Sequence, residues 1–274
     1  MTNLKSKIDA LKWLTIQDID YYYSYNQDHE LARSRVKNLK SLSLDNANIL
    51  QNNSKDSSMQ ENLINNEPNI ISTSRKLAEA ANSIDELKEI VANFEGCNLK
   101  QMAENTVFSD GTPYAPLMLI GEAPGATEDK MGIPFCGESG KLLDNMLKSI
   151  GVYRYKNAYI TNTIFWRPPA NRKPTPQEID ICRPFVEKHI AFAAPKLIIL
   201  VGNVAATSLL GKNAGVTKIR QDYYSYSNQY LSNPIPVMVI FHPAYLLRQP
   251  LQKKTTWYDL LRIKKFVQDN GFSI

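Results

Sequence analysis

Cysteine is scarce: Cys97, Cys136 and Cys182 are the only three in 274 residues. Three thiols make no disulfide framework. Long apolar runs are missing too. No stretch reaches the roughly 18 consecutive apolar residues of a membrane span, so no membrane partner is expected. Lys5 and Lys7 open the chain, but Asp9, Lys12, Asp18 and Asp20 interrupt what would have to be a signal-peptide core. The expectation is a soluble, cytoplasmic protein. The chain also lacks the phosphate loop Gly-x-x-x-x-Gly-Lys-Ser/Thr, the dinucleotide pattern Gly-x-Gly-x-x-Gly and the nucleophile elbow Gly-x-Ser-x-Gly.

Hydrophobic residues make up 43% of the chain, enough for a sizeable core. The net charge of +5 is uneven: residues 1–75 hold nine basic and nine acidic residues, so the whole excess lies in 76–274. A basic excess suits a polyanionic partner, although ordinary solubility charge explains it as well. Residues 3–44 read as helical, with Leu4, Ile8, Leu11 and Leu14 near helical spacing, and a tyrosine cluster at Tyr21–Tyr23 and Tyr25. Those rings suit packing against the body better than base stacking. From Ser41 to Pro68 the chain holds seven Asn, five Ser and no aromatic residue, too little apolar surface to offset ordering entropy. The expected organisation is a helical N-terminal extension (1–40), an Asn/Ser-rich linker (41–72) and a body (73–274).

In the body, Ser83 and Glu86 form the pattern of a capping box opening a helix. Apolar runs at 117–121, 158–163, 196–202 and 237–241 read as strands, and helical patterns lie between or beyond them at 137–150, 175–192, 203–210 and 254–269. Alternation of this kind predicts an α/β fold: a three-layer α/β/α sandwich around a central four-stranded parallel sheet. In such a sheet the carboxyl ends of the strands share one edge, where ligands bind. Glu122 and Glu128 follow the first strand, Asn162 ends the second, Gly202 follows the third and His242 follows the fourth. Phe135 sits on the loop after the first.

Three segments carry a resemblance. GEAPGATEDKMGIPFCGESGKLL (121–143), TNTIFWRPPANRKPTPQEIDIC (161–182) and FHPAYLLR (241–248), in that order and spacing, resemble the motifs of family 4 uracil-DNA glycosylases. The resemblance spans about 76–274, including the segment Cys97–Gly111. It implies a monofunctional DNA glycosylase of base-excision repair that acts on uracil-containing DNA, working as a monomer. Phe135 would stack on a flipped uracil, Ala123 would line its pocket, Asn162 would read its edge and His242 would stabilise the departing base. Glu122 and Glu128 are both candidates for managing the attacking water. Arg167, Tyr245, Leu246, Leu247 and Arg248 would grip DNA, with one of the leucines filling the space the base vacates. Two alternatives stand beside this: a catalytically silent DNA-binding protein of the same fold, and a glycosylase for another deaminated base.

The resemblance also implies a four-iron, four-sulfur cluster on four cysteines, and here the chain departs from it. The matching positions are Phe94, Cys97, Trp166 and Cys182. Two ligands are gone, and a cluster normally needs four. The expectation is therefore no metal and no cofactor, with the two rings filling the cluster's volume and Cys97 and Cys182 as remnants.

Overall fold

A computed structural model describes residues 67–211 and 215–272. The expected extension, its tyrosine cluster and most of the linker lie outside the described residues. Helix α1 (Glu67–Ala80) begins before the expected boundary at 72/73, which falls inside it. Ile70, Ile71, Ser74, Leu77 and Ala78 recur at helical spacing and lie half-buried or buried, so this end of the polar segment has a packing face. That face packs on α6 (Pro176–Ala193).

Among the described residues six strands form one sheet: β1 (Asp110–Gly111), β2 (Leu117–Gly121), β3 (Ala158–Asn162), β4 (Leu197–Val201), β5 (Tyr224–Tyr226) and β6 (Ile235–Ile240), in the order β1-β3-β2-β4-β6-β5. The central four, β3-β2-β4-β6, are parallel, as the apolar runs predict. Every residue of β2, β3 and β4 is buried, which requires cover on both faces. The sequence reading lacks the two antiparallel edges: β1 on β3 and β5 on β6. Two and three residues long, they are too short to show an alternating pattern.

Among the described residues the other α-helices are α2 (Ile84–Asn93), α3 (Ala126–Met131), α4 (Glu138–Lys148), α5 (Arg154–Asn157), α7 (Asn203–Leu210), α8 (Val216–Ile219), α9 (Pro243–Arg248) and α10 (Gln252–Asp269). Helix α6 opens on a full capping box, in which Thr175 accepts from the Glu178 N–H and Glu178 reaches back to the Thr175 N–H. At α2 only half of the expected box forms. The Ser83 hydroxyl accepts from the Glu86 N–H, but the Glu86 carboxylate takes the N–H of Asn82, one residue further out.

Parallel registry gathers the strand ends. Gly121 pairs with Asn162 and Val201 with Ile240, so the segments leaving all four parallel strands emerge along one edge. The site lies there.

Candidate active site

A cavity of about 630 Å³ opens at this edge. Of the residues singled out from sequence, Glu122, Ala123, Glu128, Phe135, Asn162, His242 and Arg248 line it; Arg167, Tyr245, Leu246 and Leu247 do not. Its wall also takes in Lys173, which sequence reasoning passed over as one basic residue in a proline-rich loop.

The floor is made by three groups in close approach. A side chain on Gly121 would place its Cβ 2.4 Å from the Phe135 ring and 2.5 Å from Asn162 Oδ1, so only glycine fits there. Asn162 is buried, and its Oδ1 has no hydrogen-bond partner among the described residues. A buried, unsatisfied amide oxygen costs about 1–3 kcal/mol, a penalty that a ligand donor would lift. Phe135 holds a left-handed backbone (φ 51°), a conformation that costs an L residue on the order of 1–3 kcal/mol. Gly140 accepts the resulting fold-back, because a Cβ there would lie 1.8 Å from the Phe135 carbonyl oxygen.

His242 faces Phe135 with ring centroids 5.6 Å apart. Its Nδ1 accepts the Ala244 N–H at 3.1 Å, capping α9. That bond leaves the proton of a neutral imidazole on Nε2. Burial, helped by the Arg248 charge, lowers its pKa to about 4, so the ring is neutral at physiological pH.

The two candidate glutamates differ. Glu128 is committed: Oε1 accepts the Cys136 N–H at 3.1 Å and the Gly137 N–H at 2.8 Å, tying the Phe135 loop and the start of α4 to α3. The Glu122 carboxylate makes no hydrogen bond or ion pair among the described residues. Burial raises its pKa, with the Lys173 charge opposing. It is the free carboxylate of the cavity. Asp129, its acidic neighbour in the sequence motif, is structural: buried, with Oδ1 accepting the N–H groups of Glu104 and Asn105.

The rim is basic. Arg172, Lys173 and Arg248 are exposed on the cavity wall. Arg172 is paired with Glu178 at 2.6 Å, and Arg167 donates to Asn171 at 2.7 Å. One expectation fails here. Leu246 is 0% exposed and packs α9 against α4, so it cannot enter DNA; the register of α9 turns it inward and leaves Leu247 half-buried and Arg248 outside. Tyr245 is half-buried, its ring 5.0 Å from that of Phe241.

The four positions matching the cluster ligands do not suit a cluster. Phe94 and Trp166 are buried, with ring centroids 6.4 Å apart, and Phe185 meets Phe94 edge-on at 5.1 Å. Trp166 Nε1 donates to Thr106 Oγ1 at 3.0 Å, which satisfies its one polar atom. Cys97 and Cys182 are buried free thiols within hydrogen-bond reach of each other. That contact lowers the Cys97 thiol and, with burial, pushes the Cys182 thiol well up, as in a pair that shares a proton, and two thiols fall short of the four ligands a cluster normally needs. Among the described residues no group of three or more His, Cys, Asp or Glu could hold a metal ion, and no helix is long and apolar enough to cross a membrane.

The profile of the Uracil DNA glycosylase superfamily matches residues 108–262. Three Type-4 uracil-DNA glycosylases are similar over most of their length. That of Sulfurisphaera tokodaii is 36% identical over 187 residues, 67% of this chain and 84% of the relative. That of Pyrobaculum aerophilum is 34% identical over 183 residues, 65% of this chain and 91% of the relative. That of Archaeoglobus fulgidus is 31% identical over 185 residues, 66% and 92% respectively.

Proposed function

This chain belongs to the uracil DNA glycosylase superfamily, and from that premise we propose that it hydrolyses the N-glycosidic bond of uracil in DNA, leaving an abasic site for base-excision repair. The observation that carries the reading is the unsatisfied Asn162 Oδ1 beside the Phe135 ring. A uracil stacked on Phe135 presents N3–H to the amide oxygen and O4 to the amide N–H. Cytosine presents an acceptor at N3 and a donor at position 4, the reverse pattern, and leaves the buried amide unpaired. Rejection by an unpaired buried polar group is strong.

The base must leave the duplex to reach this cavity, or come from single-stranded DNA. As the bond between C1′ and N1 lengthens, the electron pair moves onto the base and the sugar becomes oxocarbenium-like. His242 Nε2–H donates to O2 of the departing uracil anion, and neutrality lets it do so without giving up its proton. Glu122 orients a water toward C1′ and takes its proton as the new C–O bond forms; the uracil anion is protonated from solvent. The Lys173 charge favours the ionised form of Glu122, against the burial that disfavours it. Arg248, Arg172 and Arg167 contact phosphates, and Leu247 takes the wedge position that Leu246 cannot. No step passes through a metal, because the aromatic pair takes the place of two cluster ligands.

The test is release of base from uracil-containing single- and double-stranded oligonucleotides, with hypoxanthine and thymine mismatches as controls. Uracil release is expected, reduced by roughly a hundred- to a thousandfold or more in Asn162→Ala or Asn162→Asp. Asn162→Ala should melt close to the parent, since the oxygen it removes bonds nothing in the protein. A fully active Asn162→Asp protein would overturn the pocket assignment, and DNA binding without release of any base would favour the silent binder.

A further inference from the structure

Phe135 is held in place from outside the cavity by a residue that touches no substrate. Arg154 opens the short helix α5 immediately before β3, and its guanidinium is buried behind the Phe135 loop. Nη1 donates to the Pro134 carbonyl at 2.8 Å and Nη2 to the Phe135 carbonyl at 2.7 Å. Two carboxylates fix the guanidinium in turn. Asp110 of edge strand β1 accepts from Nη1 at 3.0 Å, and Asp144 of α4 accepts from Nε at 3.1 Å and Nη2 at 2.9 Å. Only a planar fork of five donors can serve two adjacent carbonyls and two carboxylates at once.

The carbonyls it binds flank the residue whose backbone is left-handed. Burial would leave both oxygens unpaired without these bonds, and the loop would lose the reason to keep Phe135 at φ 51°. The Phe135 ring meets the position of a Gly121 Cβ within 2.5 Å on one side and faces His242 on the other, so a small backbone shift would change where a base can stack.

We propose that Arg154, fixed by Asp110 and Asp144, is a positioning residue that clamps the Phe135 stacking platform and thereby sets how the target base sits against Asn162. This rests on the assignment of Phe135 as the base platform made above. Edge strand β1 then has a purpose beyond closing the sheet: it brings Asp110 to the clamp.

A double-mutant cycle on the full chain tests it, using steady-state release from a uracil-containing single-stranded oligonucleotide over a range of oligonucleotide concentrations. Arg154→Gln is expected to lower kcat by roughly ten- to a hundredfold, with KM for the oligonucleotide changed by about twofold or less, because DNA is held elsewhere. In a Phe135→Ala background the same change should cost about twofold or less, since its route of action is gone. Arg154→Lys, which keeps the charge and three donors but not the planar fork, should recover part of kcat. Additive losses in the two backgrounds would overturn the clamp while leaving uracil release by the parent protein intact. Absence of release by the parent would overturn the functional reading instead, and hydrogen exchange then decides the clamp. Arg154→Gln should speed amide exchange in 134–137 and leave 197–201 unchanged; unchanged exchange in 134–137, or equal acceleration in both, would overturn it.

Discussion

Glu122 and Glu128 have the same side chain, six residues apart, one on the loop after β2 and the other in α3, and the fold gives them different work. A carboxylate accepting two backbone N–H groups is a structural fixture; one left half-buried without partners, its pKa raised, is available for proton transfer. Glu122→Gln should therefore lower single-turnover uracil release by roughly a hundred- to ten-thousandfold. It should not lower the melting temperature: a carboxyl whose folded pKa is raised contributes stability when protonated and loses it as pH rises, so at neutral pH the charged form is the less stable one. Glu128→Ala should instead destabilise, by about 1.5–3 kcal/mol for the charged hydrogen bonds lost. The pH profile adds a sign. Release needs ionised Glu122 and should rise with pH through a limb above the ordinary glutamate range. Lys173→Met removes the cation that favours the carboxylate, so the limb should move to higher pH; a limb that stays put, or moves down, would show that another group titrates. Nothing in the sequence separates the two glutamates, because the N–H groups that occupy Glu128 come from residues eight and nine positions later, on a loop that folds back.

At the scale of elements, the central strands and most helices were legible because each is long enough to show its period, and strand ends alone placed Glu122, Asn162 and His242 on one edge. What was not legible depended on rotation or on contacts across the sheet. In α9, Leu246 and Leu247 are equivalent in sequence, and the helix rotation decides between them. Leu246→Ala should cost about 2–5 kcal/mol of stability as a core truncation. Leu247→Ala should leave the melting temperature nearly unchanged and reduce release from duplex more than from single-stranded uracil DNA, since only the duplex must be opened. A matched loss on both substrates would remove Leu247 as the wedge. Edge strand β1 shows the same limit: two residues carry no period, yet they bring Asp110 to Arg154.

For the whole molecule, the question is what joins α1, α2 and α6 to the sheet where a cluster would otherwise cross-link distant segments. Phe94 ends α2, Trp166 follows β3 and Phe185 lies in α6, and their rings meet in one buried group. This departure was legible from residue identity, since neither phenylalanine nor tryptophan ligates iron; that the rings would meet was not, because it depends on the packing of three elements distant in sequence. Burial of these rings supplies apolar stabilisation at about 25 cal/mol per Å², does not depend on iron and does not respond to oxidants. Protein purified without oxygen should thus contain no stoichiometric iron and show no absorption band near 400 nm, and its melting temperature should be indifferent to chelators. Trp166→Ala should cost about 3–5 kcal/mol, a loss that added iron and sulfide cannot restore. A stoichiometric cluster in the parent protein, or rescue of Trp166→Ala by reconstitution, would show that Cys97 and Cys182 still ligate iron with partners outside the described residues, and that the rings only border the metal site.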